Sequence, residues 1–312
     1  MLHIISSILP IFIITLLGKL IKTHWLKAEE FWRGLESLSY FMLFPVVLFN
    51  YISTADLHAS YLSKIISALI ISTLIVASGL AVAQRRFKIE GRTFTSIFQG
   101  GIRYNSYIFF GLGGALYGTE GMEIVAIIAA YMIIFTNFLS VLAFTIYCAH
   151  DNGESENIYA TQTVLFFRNL ITNPLIIASV CGFIFNYFEI EIADSVKNTL
   201  QTLSDSALAI GILCVGASMR FSNVRFEKFA VSLSCFTKLI ILPSVTFIAL
   251  KFFGVEGVAH SVSMLYSLLP TATNSYLLSK QLGGDSETMT SIITFSTALS
   301  VLSLAVLIYI LT

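Results

Sequence analysis

The sequence has few charged residues for its length. Asp, Glu, Lys and Arg make up 12% of the 312 residues, whereas they make up about a quarter of a typical soluble domain. Hydrophobic residues make up 56%. The 18 basic and 18 acidic residues cancel, so no excess of positive charge indicates a nucleic-acid partner. This composition excludes an ordinary soluble domain and predicts an integral membrane protein with the lipid bilayer as its surroundings.

Residues that build metal and catalytic sites are also scarce. The four cysteines are spaced like neither a zinc site nor a disulfide framework, and the five histidines lack the paired spacing of metal ligands. The sequence contains no Gly-x-Ser-x-Gly, Gly-x-x-x-x-Gly-Lys or His-Glu-x-x-His motif. We therefore expect no metal, no cofactor and no enzymatic activity.

What the sequence has in abundance is long apolar runs separated by short charged loops. About 20 apolar residues cross a ~30 Å hydrocarbon core as a helix. The first run begins just after Met1 without a basic leader or a small-residue cleavage site, so we expect it to remain as the first span. The runs predict an all-α polytopic protein with about ten spans, near 4–22, 32–54, 60–84, 93–118, 122–148, 161–187, 198–219, 228–252, 257–281 and 288–311.

Basic residues are concentrated in alternate loops, which predicts the orientation of the chain. Cytoplasmic loops carry an excess of Lys and Arg, so both termini are predicted to lie outside a cell inner (plasma) membrane. The basic residues concerned are Lys19, Lys22, Lys27, Arg33, Arg85, Arg86, Lys88, Arg92, Arg220, Arg225 and Lys228.

The two halves of the chain share short matching segments in the same order. The matches lie at offsets of 164, 165, 169 and 160 residues, on either side of a hydrophilic loop at 150–157. Such matches indicate an internal duplication, with repeats at 1–153 and 154–312. Because each half has an odd number of spans, the second copy is predicted to be inverted. The matching pairs are Pro10 with Gly18 and Pro174 with Gly182, 35–39 and 200–204, 105–107 and 274–276, and 139–142 and 299–302.

A polar interruption falls within one long apolar span of each half, at 100–107 and 270–276. Pro270 cannot continue a helix and disfavours helical geometry in Leu269, whereas the paired glycines 100 and 101 loosen the first span. Both interruptions lie ~18–20 Å into their spans. They predict broken helices that cross at mid-depth and form a substrate site, although a packed proline kink is the alternative.

The interruptions supply groups that suit an anion. Asn105 and Asn274 offer amide groups, and Ser106 and Thr271 lie beside them. Arg103 has the geometry to bind a carboxylate through two parallel hydrogen bonds. The alternative for Arg103 is a structural ion pair or a position near the cytoplasmic surface.

Other polar residues within the spans have two interpretations each. Lys238, Asp205 and Glu36 are candidates for coupling or gating, and Asp205 and Lys238 either neutralise one another or act as a proton-linked gate. Asn50 and Asn137 are either substrate contacts or hydrogen-bonding groups between helices.

Three segments resemble the auxin efflux carrier family. Residues 269–276, followed by 279–285, resemble that family's ninth helix, and 103–105 with the glycines at 111, 113 and 118 resemble its fourth. Residues 297–300 are similar to its tenth helix. The chain lacks the long cytoplasmic loop of the plant carriers and is similar to the shorter bacterial members.

This resemblance implies a fold of two inverted five-helix repeats, related in shape to the bile acid sodium symporters, with broken helices 4 and 9 crossing. It implies an elevator mechanism in which helices 1, 2, 6 and 7 form a scaffold and helices 3–5 and 8–10 carry the substrate. The implied substrate is a small organic anion, either a carboxylate such as malonate or malate or an auxin-like weak acid. By motif match, Asn105 and Pro270 are substrate-site positions.

The sequence leaves several alternatives open. A channel would require a continuous polar stripe along several spans, but the polar residues are concentrated at mid-depth. A sensor built on a transporter fold would bind ligand without flux. Transport is coupled to a proton, to sodium or to the membrane potential, and a homodimer is an open alternative to a monomer.

Overall fold

A computed structural model of the chain describes residues 2–148, 171–219 and 228–311, and every regular element in these ranges is a helix. The side chains of residues 2–8 and 305–311 are outside the described part. The predicted linker at 150–157, the start of the predicted sixth span, and Arg220 and Arg225 also lie outside the described residues.

Within the described ranges, two π-helical segments occur among the α-helices, Ser39–Leu43 before α3 and Thr237–Ile241 before α10. The helices are α1 (Leu2–His24), α2 (Glu29–Leu38), α3 (Phe44–Thr54), α4 (Tyr61–Phe87), α5 (Gly91–Ile102), α6 (Ser106–Tyr147), α7 (Pro174–Tyr187), α8 (Asp194–Ser218), α9 (Lys228–Phe236), α10 (Leu242–Phe252), α11 (Gly257–Leu268), α12 (Ser275–Gln281) and α13 (Ser286–Leu311).

Each π-helical segment ends next to a proline in the first turn of the following helix, Pro45 in α3 and Pro243 in α10. A proline has no N–H and its ring clashes with the carbonyl four residues earlier. A wider π turn at that point lets the chain continue without a sharp break.

Six helical segments of the described chain are long and apolar enough to cross a membrane. Their number confirms a multi-pass membrane protein. The ten predicted spans are not each found as a separate segment, and their number stays a prediction. The segments are Glu29–Thr54, Tyr61–Phe87, Gly91–Tyr147, Asp194–Ser218, Lys228–Phe252 and Ser286–Leu304.

The difference between six and ten has a local origin. Gly91–Tyr147 is a single segment of 57 residues by this criterion, although it covers two predicted spans. The predicted span at 257–281 is divided into the short helices α11 and α12, and only Pro174–Tyr187 is described as an apolar helix of the predicted sixth span. The first predicted span is α1, and the side chains of its residues 2–8 are outside the described part.

By its internal contacts the chain forms two compact units. The first comprises Met1–Leu62, Ser106–Tyr131 and Asn169–Ser218. In it, α1 and α8 approach so closely that a Cβ at Gly18 would collide with the backbone of Leu213. Gly182 of α7 similarly faces Ile52 of α3, at 3.0 Å from its hypothetical Cβ to the Ile52 Cβ. Small residues at helix crossings allow this close packing.

The second unit comprises Ser63–Asn105, Met132–Arg168 and Met219–Thr312. Its apolar core joins α4, α5, the second part of α6, α9 and α10, through residues such as Leu80, Phe94, Leu139, Ala230 and Leu242. The predicted transport domain included all of helices 4 and 5, whereas Ser106–Tyr131 clusters with the first unit. The assignment of scaffold and transport roles stays a prediction.

Candidate functional site

Both helix breaks lie where the sequence predicts them, and they begin and end in the same way, although 103–105 is shorter than 269–274. Helices α5 and α11 each have 12 residues before the break. The residue that follows is extended in both, Arg103 at φ −80°, ψ 156° and Leu269 at φ −64°, ψ 148°. In both halves of the chain an Asn-Ser-Tyr triplet marks the restart, since α6 begins at Ser106 and α12 begins at Ser275.

The paired glycines do not themselves open the first break. Gly100 and Gly101 are still helical, and the helix ends at Ile102. A Cβ at Gly100 would collide with the Ser234 hydroxyl, and one at Gly101 would lie 3.2 Å from the Thr237 Cγ2. The glycines therefore let α5 approach α9 and the π-helical segment closely.

The two breaks contact one another directly through the main chain. The N–H of Asn105 donates a hydrogen bond to the carbonyl oxygen of Pro270 at 2.9 Å. Both residues are buried, and Asn105 is 1% exposed. Within the second unit, therefore, the interruptions of the two halves meet at one point.

Thr271 satisfies backbone groups that the breaks leave open. Its hydroxyl donates to the carbonyl oxygen of Gly100 at 2.8 Å, and its N–H donates to the Ser296 hydroxyl at 3.3 Å. Unpaired backbone groups inside a bilayer cost several kcal/mol each, so these bonds stabilise the non-helical chain at the crossing.

Arg103 connects the two breaks by its side chain. Its guanidinium donates through Nη1 to Gln99 Oε1 at 2.9 Å and through Nη2 to Asn274 Oδ1 at 3.0 Å. Gln99 in turn donates through Nε2 to the Ser279 hydroxyl at 3.0 Å. Arg103 is 6% exposed, so the guanidinium is held inside the second unit by amide oxygens from both broken helices.

The structure thus brings together five of the predicted site residues: Arg103, Asn105, Pro270, Thr271 and Asn274. Ser106 follows directly in the chain and is half-buried. Asn137 is half-buried in the second part of α6, and no described hydrogen bond links it to the crossing.

Three other predicted residues lie in the first unit. Asn50 donates to Gln201 Oε1 at 3.1 Å, and Gln201 donates to Asp205 Oδ1 at 2.9 Å. Asp205 is exposed and Glu36 is half-buried. The predicted pairing of Asp205 with Lys238 is not among the ion pairs of the described residues and stays a prediction.

Lys238 lies in the second unit at the π-helical segment and is fully buried. Its Nζ is 5.6 Å from the centroid of the Tyr266 ring. The Tyr266 ring packs edge to face against Tyr104 at 4.5 Å between centroids, and Tyr104 is part of the first break. The rings of Tyr266 and Tyr104 therefore lie between Lys238 and the crossing.

Sequence reasoning missed Gln99, Ser279, Ser296 and the two stacked tyrosines. Gln99 had a usable signal, because it precedes Arg103 by four residues, the spacing at which helical side chains meet. Ser279 and Ser296 have partners that are distant in sequence, and no local pattern identifies them. Among the described residues, no group of three or more His, Cys, Asp or Glu side chains could hold a metal ion.

Comparison with known proteins agrees with the membrane architecture. The chain is 22% identical over 306 residues to an "Uncharacterized transporter" of Methanothermobacter thermautotrophicus, which covers 96% of this chain and 95% of the relative. The family model described as "Membrane transport protein" matches residues 3–308. This match includes both breaks, and it points to a transport protein of the membrane. The chain therefore belongs to the membrane transport protein family.

Proposed function

We propose that the protein is a secondary transporter for a small organic anion and that the anion binds where the two helix breaks meet. Membership of a membrane transport family supports the transport activity. The observation that carries the site is the bond from Asn105 N–H to the Pro270 carbonyl, with Arg103 held beside it by groups from both breaks.

The chemistry of Arg103 favours a carboxylate substrate. A guanidinium presents its N–H groups as a planar fork that matches a carboxylate. Its described partners Gln99 and Asn274 are neutral amides, and a bound carboxylate replaces one or both with stronger charge-assisted bonds. Malonate, malate and auxin-like weak acids all carry the required group.

Parallel features of the two halves support ten spans in two inverted repeats. The breaks share their half-helix length, the extended residue and the Asn-Ser-Tyr restart. Helix α6 has 42 residues, about 63 Å at 1.5 Å per residue, which is roughly twice the thickness of the hydrocarbon core. It is interrupted at Gly118, where φ is 59° and ψ is −144°. We assign its two parts to consecutive spans.

The repeated glycines also have matching roles. Gly18 of α1 packs against α8, and Gly182 of α7 packs against α3. In a duplicated five-helix unit these are equivalent contacts, because α7 corresponds to α1 and α8 corresponds to α3. The same local pattern therefore serves the same close approach in both halves.

An elevator mechanism is compatible with the location of the site. All the described bonds around the crossing lie inside the second unit. A second unit that moves as a body transports such a site without breaking it, while the first unit acts as the scaffold. From the distribution of basic residues we place both termini outside the cell inner membrane.

The first experiment is a thermal-shift screen of the purified protein against mono- and dicarboxylates, each with and without sodium. A ligand that binds the folded state stabilises it by about 2.7 kcal/mol at 100 times its Kd. Stabilisation that increases with carboxylate concentration supports the substrate class, and a dependence on sodium identifies the coupling ion. The absence of stabilisation by every carboxylate would contradict the proposal.

The second experiment measures carboxylate uptake into proteoliposomes by Arg103→Gln. Hydrogen bonds to a charged group are worth about 1.5–3 kcal/mol, so uptake below saturation should fall by about 10- to 100-fold. The control is Arg86→Gln, at an exposed position near the end of α4, which should keep normal uptake. Equal uptake by the two variants argues against the site, and binding without flux in the unmodified protein indicates a sensor.

A further inference from the structure

The buried side chain of Lys238 lies near the middle of its helical segment and is not part of the proposed transport site. It lies about halfway along the 25-residue segment Lys228–Phe252 and is 0% exposed. Within the described chain its Nζ has no hydrogen-bond partner and belongs to no ion pair. Its one described interaction is with the face of the Tyr266 ring.

No described carboxylate of the second unit is placed to neutralise this amine. The acidic residues of that unit within the described ranges are Glu90, Glu256, Asp285 and Glu287, and all four lie at or next to the first turn of a helix. Asp285 is already engaged, since it accepts from the N–H of Thr288 at 2.9 Å. An ammonium at Lys238 would therefore be a buried charge without a counter-charge from the described carboxylates of its own unit, which is strongly unfavourable.

The ionisable groups around Lys238 belong to the first break and to the helices packed against Thr237–Ile241. Tyr266 has the described contact with Nζ, and Tyr104 packs on Tyr266. Arg103 follows the end of α5 and is held by amide oxygens. On the elements packed against Thr237–Ile241, the other titratable or charged side chains in the described part are Arg92, Lys228, Cys235, Lys251, His260 and Glu287.

The π-helical segment that carries Lys238 is also held against the first break. Thr237, its first residue, faces Gly101 at the last turn of α5. The Lys238 amine contacts the Tyr266 ring, which packs edge to face against the Tyr104 ring. Tyr104 lies between Arg103 and Asn105 in the first break, so the two rings connect the amine to that break. A negative charge bound at the crossing therefore attracts a positive charge at Lys238 through buried protein, where electrostatic interactions are weakly screened.

We propose that Lys238 couples proton binding to anion binding: its amine is neutral when the crossing is empty and takes up one proton from solution when an anion binds there. The proposal rests on the proposed function. Anion binding stabilises the ammonium, and by thermodynamic linkage the ammonium raises the affinity for the anion to the same degree. A monoanion is then carried with a compensating proton, so the loaded site has no net change in charge.

The direct test is calorimetry of malonate binding at a mildly alkaline pH in buffers of different ionisation enthalpy, which counts the protons taken up. We expect the wild type to take up close to one proton per malonate bound. Lys238→Met has no amine and Lys238→Arg keeps a permanent charge, so both should take up none. Lys251→Met is the matched control. The Lys251 Nζ likewise lies over an aromatic ring, at 5.8 Å from the centroid of Phe247, but Lys251 is exposed.

Malonate binding by the wild type without proton uptake, or unchanged uptake in Lys238→Met, would overturn the proposal.

A second experiment without ligand compares thermal unfolding of the wild type and Lys238→Met across pH. The lysine binds a proton when the chain unfolds but not in the folded state, so wild-type stability rises with pH. The advantage of Lys238→Met should therefore shrink as pH increases.

A pH-independent difference between these two proteins also overturns the proposal, even if malonate does not bind. Failure of the wild type and Lys251→Met to bind any carboxylate refutes the proposed substrate class instead. The two failures are thus distinguishable.

Discussion

Replacing Gln99 by leucine tests whether the hydrogen-bond chain across the breaks stabilises the second unit. The Gln99 amide is fully buried and makes two bonds, one from Arg103 Nη1 at 2.9 Å and one to Ser279 at 3.0 Å. The bond to the charged guanidinium is worth about 1.5–3 kcal/mol and the neutral one about 1 kcal/mol. Burial of the leucine side chain returns part of this loss, so we expect a net cost of about 2–3 kcal/mol.

The assay is equilibrium unfolding in mixed micelles of a mild and a denaturing detergent. Gln84→Leu is the control, because Gln84 makes a single bond to the carbonyl of Ile89 near a helix end, and it should cost less than about 1 kcal/mol. A double-mutant cycle of Gln99→Leu with Ser279→Ala should give a coupling energy of about 1 kcal/mol. If Gln99→Leu costs no more than Gln84→Leu, or the cycle shows no coupling, the reasoning is refuted.

Two further predictions concern backbone and helix packing. Thr271→Val keeps the shape of the side chain but leaves the Gly100 carbonyl without its hydroxyl donor, and it should lower the free energy of unfolding by about 1–3 kcal/mol; an unchanged value contradicts the described bond. Gly216→Ala places a Cβ against the backbone of Thr15 and should cost about 1–3 kcal/mol or prevent folding. Gly79→Ala has open space around it and should be neutral or stabilising by up to about 1 kcal/mol, so similar yields of folded protein for both alanine variants would contradict the close crossing.

The positions of the breaks were readable from the sequence because their cause is local. A proline disfavours helical geometry in the residue before it, and Leu269 is extended as expected. The Asn-Ser-Tyr triplets mark the restart of both broken helices. The membrane class followed from composition, since 12% charged residues is about half the share of a typical soluble domain.

The partners of Arg103 were not readable, because they depend on contacts between segments distant in sequence. The prediction offered a substrate or an ion pair for this residue, whereas the described bonds go to Gln99 and Asn274. The number of spans does not follow from helix length either, since the 42 residues of α6 comprise two helical parts that join at the non-helical Gly118. The role of the paired glycines was misread, because a glycine that permits close packing and one that breaks a helix look alike in sequence.

One of the contacts between the breaks, from the Asn105 N–H to the Pro270 carbonyl, is made by main-chain atoms alone. Proline cannot donate a hydrogen bond, but its carbonyl is an ordinary acceptor, and the Asn105 N–H that meets it is common to every residue except proline. This bond is therefore retained when the Arg103 or Asn274 side chain changes. Variation at these positions offers a route to altered substrate preference, in nature or by design, that leaves the crossing itself unchanged.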